Sequence, residues 1–248
     1  MKKGKLLVFS APSGSGKTTI VRHLLSKKDL NLELRIESAQ GSAALAAQIA
    51  NKFVVQNPDV VVGVGTLSAQ SFAKYTATNK VKLVFASVTD PSKISTVNTT
   101  GVSNFIKIEP QLEFFLKLQP KLKRLGILYN PGEINSVSIV NNLEKICPQF
   151  NITLIKQAVP KSSEVPQAAN KLAASCDAVF ISNDNTMLSA MQSIVKAANL
   201  KHIPLYVSDT AAVPQGAVAA LGPDQYSIGV EAGIIIAKIL DGHDINKM

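Results

Sequence analysis

Two sets of residues in this 248-residue chain have the types and spacing to do chemistry. The first closes a series of apolar runs. DVVVGVG is followed by Thr66 and Ser68, and KLVFASVTD ends in Ser87, Thr89 and Asp90. In the second half, Asn130, Glu133, Asn135 and Ser136 follow GILY. Asn183, Asp184, Asn185 and Thr186 follow DAVFIS, and Ser208 and Asp209 close IPLYVSD. Hydroxyls beside a helix N-terminus suit a carboxylate, and an aspartate, Asp209 or Asp184, suits an ammonium. Together they describe a clamp for an α-amino acid. Each of these residue types also serves simply as a helix cap after a strand. The second set is APSGSGKTT, a phosphate-loop pattern with Ala11 where the first glycine is usual. There Ser13, Gly14, Ser15 and Gly16 turn backbone N–H groups toward an anion, Lys17 reaches outer phosphates, and Thr18, with Thr19 beside it, holds Mg²⁺.

Little else in the chain has reactive spacing. His23, His202 and His243 are scattered, and none lies near a strand end, so neither a metal site nor His-based catalysis is expected. Cys147 and Cys176 are far apart with no ligand spacing and read as buried free thiols. No cofactor is expected, except a nucleotide with Mg²⁺ if the phosphate loop is used. The net charge of +9 comes mostly from dispersed lysines; there are three arginines and no tryptophan, which argues against nucleic-acid readout. No apolar run reaches the ~18 residues of a membrane span. The basic start MKKGK precedes an apolar run too short for an export signal, so the chain as written reads as cytoplasmic.

The elements that must position these residues alternate. KLLVFSA, LELRIES, DVVVGVG and KLVFASV read as strands, separated by amphipathic helical stretches; one of these runs from Ser42 to about Gln56 and is stopped by Asn57-Pro58. Residues 92–104 read as irregular. IEPQLEFFLKL is a helix closed by Pro120 and looks like a crossing into a second lobe, in which KRLGILY, ITLIKQAV, DAVFIS, IPLYVSD and AVAALG are strands. A helix is expected from about Ser136 to Ile146, another around Val165–Ala174, and a single one from NDNT to Ala198. DQYSIGVEAGIIIAKILDG is a final amphipathic helix returning to the first lobe. The two halves repeat one design: QIANKF and DVVVGVGTLS recur as QAANKL and DAVFISNDNT about 118 residues later. Strand–helix alternation implies an α/β fold with parallel sheets. The expected lobes are 1–105 with about 224–248, and 106–223, their polar strand ends facing one cleft, where ligands of open α/β sheets bind.

Two family resemblances follow from these motifs. APSGSGKTT with its flanking strand and helix resembles the start of guanylate kinases, from about Lys3 to Leu34. The kinases' later cationic segments have no counterpart, so transfer activity is not expected. IESAQGSAALAAQIANKFV, GVGTLSAQ, FASVTDP, NTTGVSN, GILYNPGEINS, NDNTMLSA, YVSDTAAV and GAVAALG together resemble ABC-transporter substrate-binding proteins of the tryptophan/tyrosine-binding type, over about 36–248. That resemblance implies two flavodoxin-like lobes (periplasmic-binding-protein type I) joined by a hinge, a bound amino acid, possibly an aromatic one, and no catalysis. It also implies a membrane permease as partner and an exported, monomeric protein. The chain therefore reads as a mosaic, with a kinase-like unit in place of the family's first strand and helix.

Overall fold

Apolar runs form the inner strands of this chain, and the amphipathic stretches between strands form the helices. The computed structural model describes residues 5–10, 32–78, 81–94 and 97–248. They fall into two compact units: residues up to Phe105 together with Asp224–Met248, and Ile106–Pro223.

The first unit begins with strands β1 (Lys5–Ser10) and β2 (Leu32–Glu37), helix α1 (Ala43–Val55), strand β3 (Val60–Val64), helix α2 (Thr66–Thr76), and strands β4 (Leu83–Val88) and β5 (Thr99–Ser103). The second unit contains α3 (Ile108–Leu118), β6 (Arg124–Tyr129), α4 (Ile134–Ile146), β7 (Thr153–Ala158), α5 (Val165–Ala173), β8 (Ala178–Ile181), α6 (Asn185–Ser189), α7 (Met191–Leu200), β9 (Leu205–Val207) and β10 (Ala219–Ala220). Helix α8 (Gln225–Leu240) belongs to the first unit. Each unit holds a five-stranded parallel sheet, in the order β2-β1-β3-β4-β5 and β7-β6-β8-β9-β10. Numbered within its unit, each sheet runs 2-1-3-4-5, the flavodoxin-like order. The sequence repeat is thus a repeat of topology, with β3 and β8 as equivalents.

All five residues of β3 are buried, as expected for a parallel strand covered on both faces. Its side chains alternate between two helical layers. Val60, Val62 and Val64 pack with Val84 and Ala86 against Ile228, Ala232, Ile236, Ile239 and Leu240 of α8. Val61 packs with Leu83 and Phe85 against Ile49 and Phe53 of α1 and Phe72 of α2. Helix α1 starts at Ser42, whose hydroxyl accepts the Leu45 N–H, and buries Ala46, Ile49, Ala50 and Phe53 on one side. It ends where Asn57 adopts a left-handed φ of 51° before Pro58.

In the second unit, Ile108, Leu112 and Phe115 of α3 pack with α4 against Leu125, Ile127, Phe180 and Tyr206. The Phe115 and Tyr206 rings stack at 4.4 Å. The opposite face is filled by α5 and α7 against Leu128, Val179, Ile181, Leu205 and Val207. Cys147 and Cys176 are both buried and free, and burial pushes each thiol up to about 11. At the amino ends of β6 and β8, Asp177 ties the strands. One oxygen accepts from Arg124 Nη2 at 2.6 Å, the other from the Lys123 and Arg124 N–H groups at 3.1 and 2.8 Å.

Three sequence expectations need correction. Residues 92–104 are not irregular throughout: Pro91–Lys93 form a 3-10 turn and Thr99–Ser103 form edge strand β5. Every position of β5 is only partly buried, so TTGVS lacks the apolar run that marked the inner strands. The helix expected from NDNT to Ala198 is two helices, α6 and α7, broken where Ala190 leaves helical geometry at φ −114°, and the second reaches Leu200. Helix α4 starts at Ile134, which places Ser136 inside the helix rather than at its start.

Helix α2 approaches β3 closely because position 63 carries no side chain. A Cβ on Gly63 would lie 2.6 Å from Ala69 Cα and 2.8 Å from Ala69 N, both backbone atoms that cannot step aside. Gly63→Ala is expected to destabilise the protein by about 1–3 kcal/mol, as overpacking does. Urea denaturation measures this, and an unchanged midpoint would contradict the close packing.

Candidate functional site

Parallel sheets place every strand's carboxyl end and the following helix N-terminus on one edge. In the second unit this edge carries a network centred on Asp184, which is fully buried at 0% exposure. Its Oδ1 accepts the Met187 N–H at 2.9 Å, capping α6. Its Oδ2 accepts the Asn130 N–H at 2.7 Å and the Ser136 hydroxyl at 2.6 Å. Asp184 therefore fastens the loop after β6, the first turns of α4 and the start of α6 to one another.

Glu133 adds a second brace. Its Oε2 accepts from Asn185 N and Nδ2 at 2.9 and 2.8 Å, and its Oε1 from Thr186 N and Oγ1 at 3.0 and 2.8 Å. Asn130 Nδ2 donates to Thr186 Oγ1 at 2.8 Å, and its Oδ1 accepts the Gly132 N–H, closing the Asn-Pro-Gly turn. Asn135 Nδ2 donates to the Asn183 carbonyl at 2.7 Å. The eight residues expected from sequence here do gather. Asp184, however, is corrected as a partner for a ligand ammonium: it is buried and both of its oxygens are engaged inside its own unit. Tyr129 is half-buried against the core.

The neighbouring strand end differs. Ser208 is buried and accepts Gln111 Nε2 at 3.1 Å. Asp209 is half-buried; its Oδ1 accepts the Ala211 N–H at 2.9 Å, and its Oδ2 has no partner among the described residues.

In the first unit, α2 begins at Thr66 behind Gly65, whose φ of 82° suits glycine and which has no side chain to cap the helix. Thr66 and Ser68 are both buried there. Ser87 sits at a β-bulge between Ala86 and Val88 with a left-handed φ of 55°, uncommon for a serine, and its hydroxyl donates to Gln225 Oε1 at 2.7 Å. The Thr89 hydroxyl donates to Asn104 Oδ1 at 3.0 Å, and Asp90 accepts the Ser92 N–H at 3.2 Å, capping the 3-10 turn.

Sequence reading missed Ser182, Gln111, Gln225 and Asn104. Ser182 ends β8 at 3% exposure, and among the described residues its hydroxyl is the buried side-chain polar atom without a partner. The signal for it was present, as the serine closing DAVFIS. The other three lie far along the chain from the residues they hold, so no local pattern announces them. The phosphate-loop residues Ser13, Gly14, Ser15, Gly16, Lys17, Thr18 and Thr19 fall outside the described residues.

With this fold and these strand ends in view, the family profile described as ABC transporter substrate binding protein matches residues 22–248. The chain belongs to that family. The match reaches back into residues that the sequence reading gave to the kinase-like segment, and nothing in the comparisons supports the kinase likeness. The chain is 31% identical over 226 residues to the tyrosine-binding protein of Clostridioides difficile (strain R20291). That alignment covers 88% of this chain and 65% of the relative, so the chain spans just under two thirds of that protein's length. Among solved structures, it matches a conserved domain protein from Vibrio cholerae O1 biovar eltor with TM-score 0.93 and 32% identity, over 99% of this chain and 88% of that one. It matches the ABC domain in complex with L-Trp from Streptococcus pneumonia with TM-score 0.90 and 26% identity, over 100% and 88%. Members of this family bind solutes rather than transform them. Among the described residues, no helix is long and apolar enough to cross a membrane.

Burial, and secondarily the charge of Glu133, pushes the Asp184 carboxyl up to about 6, against the pull of its three hydrogen bonds. A folded value above the ordinary value of about 4 means that the folded state binds more protons between those two pH values. Asp184 thus makes stability fall as pH rises from about 4 to about 6, with no further change above. Asp177 is held below the ordinary range by Arg124, so its contribution is present above about pH 4 and is lost only in stronger acid. Thermal denaturation across pH 4–7 should show the Asp184 decline in the wild type and not in Asp184→Asn. That variant should also be less stable by about 1–3 kcal/mol, because an amide nitrogen cannot accept the bonds that Oδ2 accepts. A wild-type profile flat from pH 4 to 6 would contradict the assignment.

Proposed function

We propose that this chain is the extracytoplasmic solute-binding component of an ABC-type importer, that it delivers its solute to a membrane permease, and that the solute is an α-amino acid with an aromatic side chain. The observation that carries the reading is a contrast between equivalent helix starts. In the second unit, the N–H groups of Asn185, Thr186 and Met187 are taken by the carboxylates of Glu133 and Asp184. In the first unit, α2 opens behind Gly65 with no side-chain cap. Its first-turn donors and the Thr66 hydroxyl fit a ligand carboxylate, helped by the helix dipole. Asp209, one of whose oxygens has no partner among the described residues, fits the ammonium, and Ser182 supplies a hydroxyl that likewise has none among them. The aromatic preference rests on the relatives, one named for tyrosine and one holding L-Trp.

Isothermal titration with L-Trp, L-Tyr, L-Phe and L-Leu tests the class. Tryptamine, which lacks the carboxylate, and indole-3-propionate, which lacks the ammonium, test the two ends. An aromatic amino acid at 100 times its dissociation constant should stabilise the protein by about 2.7 kcal/mol in a thermal shift. Both truncated analogues should bind at least about tenfold more weakly, and Asp209→Ala should lose about 1.5–3 kcal/mol of binding free energy, the range for a charged hydrogen bond. Failure of every amino acid to bind would overturn the proposal, and an unchanged affinity in Asp209→Ala would remove that residue from the site.

A further inference from the structure

A serine lies at or next to the carboxyl end of the fourth strand of each unit, and each serine is held by a glutamine from a helix that follows a crossing between the units. Ser87, the penultimate residue of β4, donates to Gln225 Oε1 at 2.7 Å; Gln225 is the first residue of α8, directly after the second crossing. Ser208, after β9, accepts from Gln111 Nε2 at 3.1 Å; Gln111 lies in the first turn of α3, a few residues after the first crossing. The partners are 138 and 97 residues apart in sequence, and in both units the glutamine reaches the carboxyl end of the fourth strand.

Neither contact is needed to form the element it sits on. The start of α8 is already capped by Asp224, which accepts from Tyr226 N and Ser227 N at 3.1 Å each. Gln111 does not cap α3; it reaches instead to Ser208 and to the Leu221 carbonyl, the latter at 2.9 Å, and so joins the ends of β9 and β10. At Ser87 the tether holds a strained residue: a left-handed φ of 55° at a bulge persists only where surroundings impose it. Thr89 and Asp90 follow after Val88, so the strained backbone at Ser87 bears on where they point. In the second unit Asp209 follows Ser208 directly.

We propose that Gln225 and Gln111 are positioning residues for ligand binding. Each fixes, from the helix that opens after a crossing, the serine at the carboxyl end of the fourth strand or just past it, and so presents that strand end in its binding geometry. The proposal rests on the amino-acid-binding reading for its functional consequence, while the tether itself can be tested without ligand. Gln225 is only half-buried, so Gln225→Met removes the amide without emptying a core. Gln225→Glu keeps an acceptor for the Ser87 hydroxyl. Gln111 must donate to the Leu221 carbonyl, so Gln111→Glu cannot replace it.

Amide hydrogen exchange on the ligand-free protein reads the tether. Gln225→Met should speed exchange at residues 86–90 while the melting temperature and the exchange of α8 stay at wild-type values, and Gln225→Glu should restore slow exchange. Titration with L-Trp, L-Tyr and L-Phe reads the consequence. The affinity of the amino acid that binds wild type should fall about tenfold in Gln225→Met, chiefly through faster dissociation, and recover in Gln225→Glu. Gln111→Glu should weaken binding without recovery. Unchanged exchange at 86–90 in Gln225→Met, or unchanged affinity despite faster exchange, would overturn the proposal. A wild type that binds no amino acid would defeat the functional reading instead, and the exchange result would still decide whether the tether exists.

Discussion

The structure depends on the burial of one face of each sheet by a helix that the chain delivers from the other unit's last strand. Helix α3 follows β5 yet covers β6, β8 and β9, and α8 follows β10 yet covers β3 and β4. Without α8, Val60, Val62, Val64, Val84 and Ala86 would face water. Burying five such side chains is worth on the order of 5–10 kcal/mol in area bookkeeping, comparable with the whole stability of a typical domain. The two units are therefore not independent beads on a string. The first needs a piece of chain that lies beyond the second.

From that arrangement the site geometry follows. Parallel pairing sends all strand carboxyl ends to one edge, and the helix after each strand starts there, so hydroxyls, amides and acids accumulate on that edge without further design. What distinguishes the two units is how these groups are used. In the second unit Asp184 and Glu133 satisfy helix donors and brace the neighbouring loops. In the first unit α2 starts behind a glycine, which has no side chain to cap it.

The inner strands were legible because DVVVGVG and DAVFIS are apolar without interruption, which only double-sided burial explains, and the repeat of their flanks announced two equivalent units. β5 was not legible: TTGVS is an edge strand with partly exposed positions, and its backbone pairing with β4 leaves no hydrophobic signature. The break at Ala190 was hidden because MLSAMQSIV keeps apolar residues in helical register across it. Within the site, the strand-end residues were found, but their jobs were not. Nothing local shows that Asp184 would lose all contact with water, or that Glu133 reaches across to the next helix. The glutamines that hold Ser87 and Ser208 act over sequence distances at which no pattern survives. The phosphate-loop motif is a short string with a strong chemical meaning, whereas the diffuse likeness spread over many motifs is the one that the family match over residues 22–248 bears out.

The late arrival of α8 has a consequence for synthesis on the ribosome. The second unit, residues 106–223, is one continuous stretch and can complete its core, including α3, as soon as it emerges. The first unit is translated earlier but must wait, with an apolar sheet face uncovered, until residues 225–240 have been made. Exposed parallel strands are prone to aggregate. The half that is made first is thus the half that finishes last, and the interval between them is the time taken to translate more than a hundred residues, on the order of ten seconds. A holding chaperone that recognises valine-rich strands would find its substrate in that interval, in the nascent chain rather than in the finished protein.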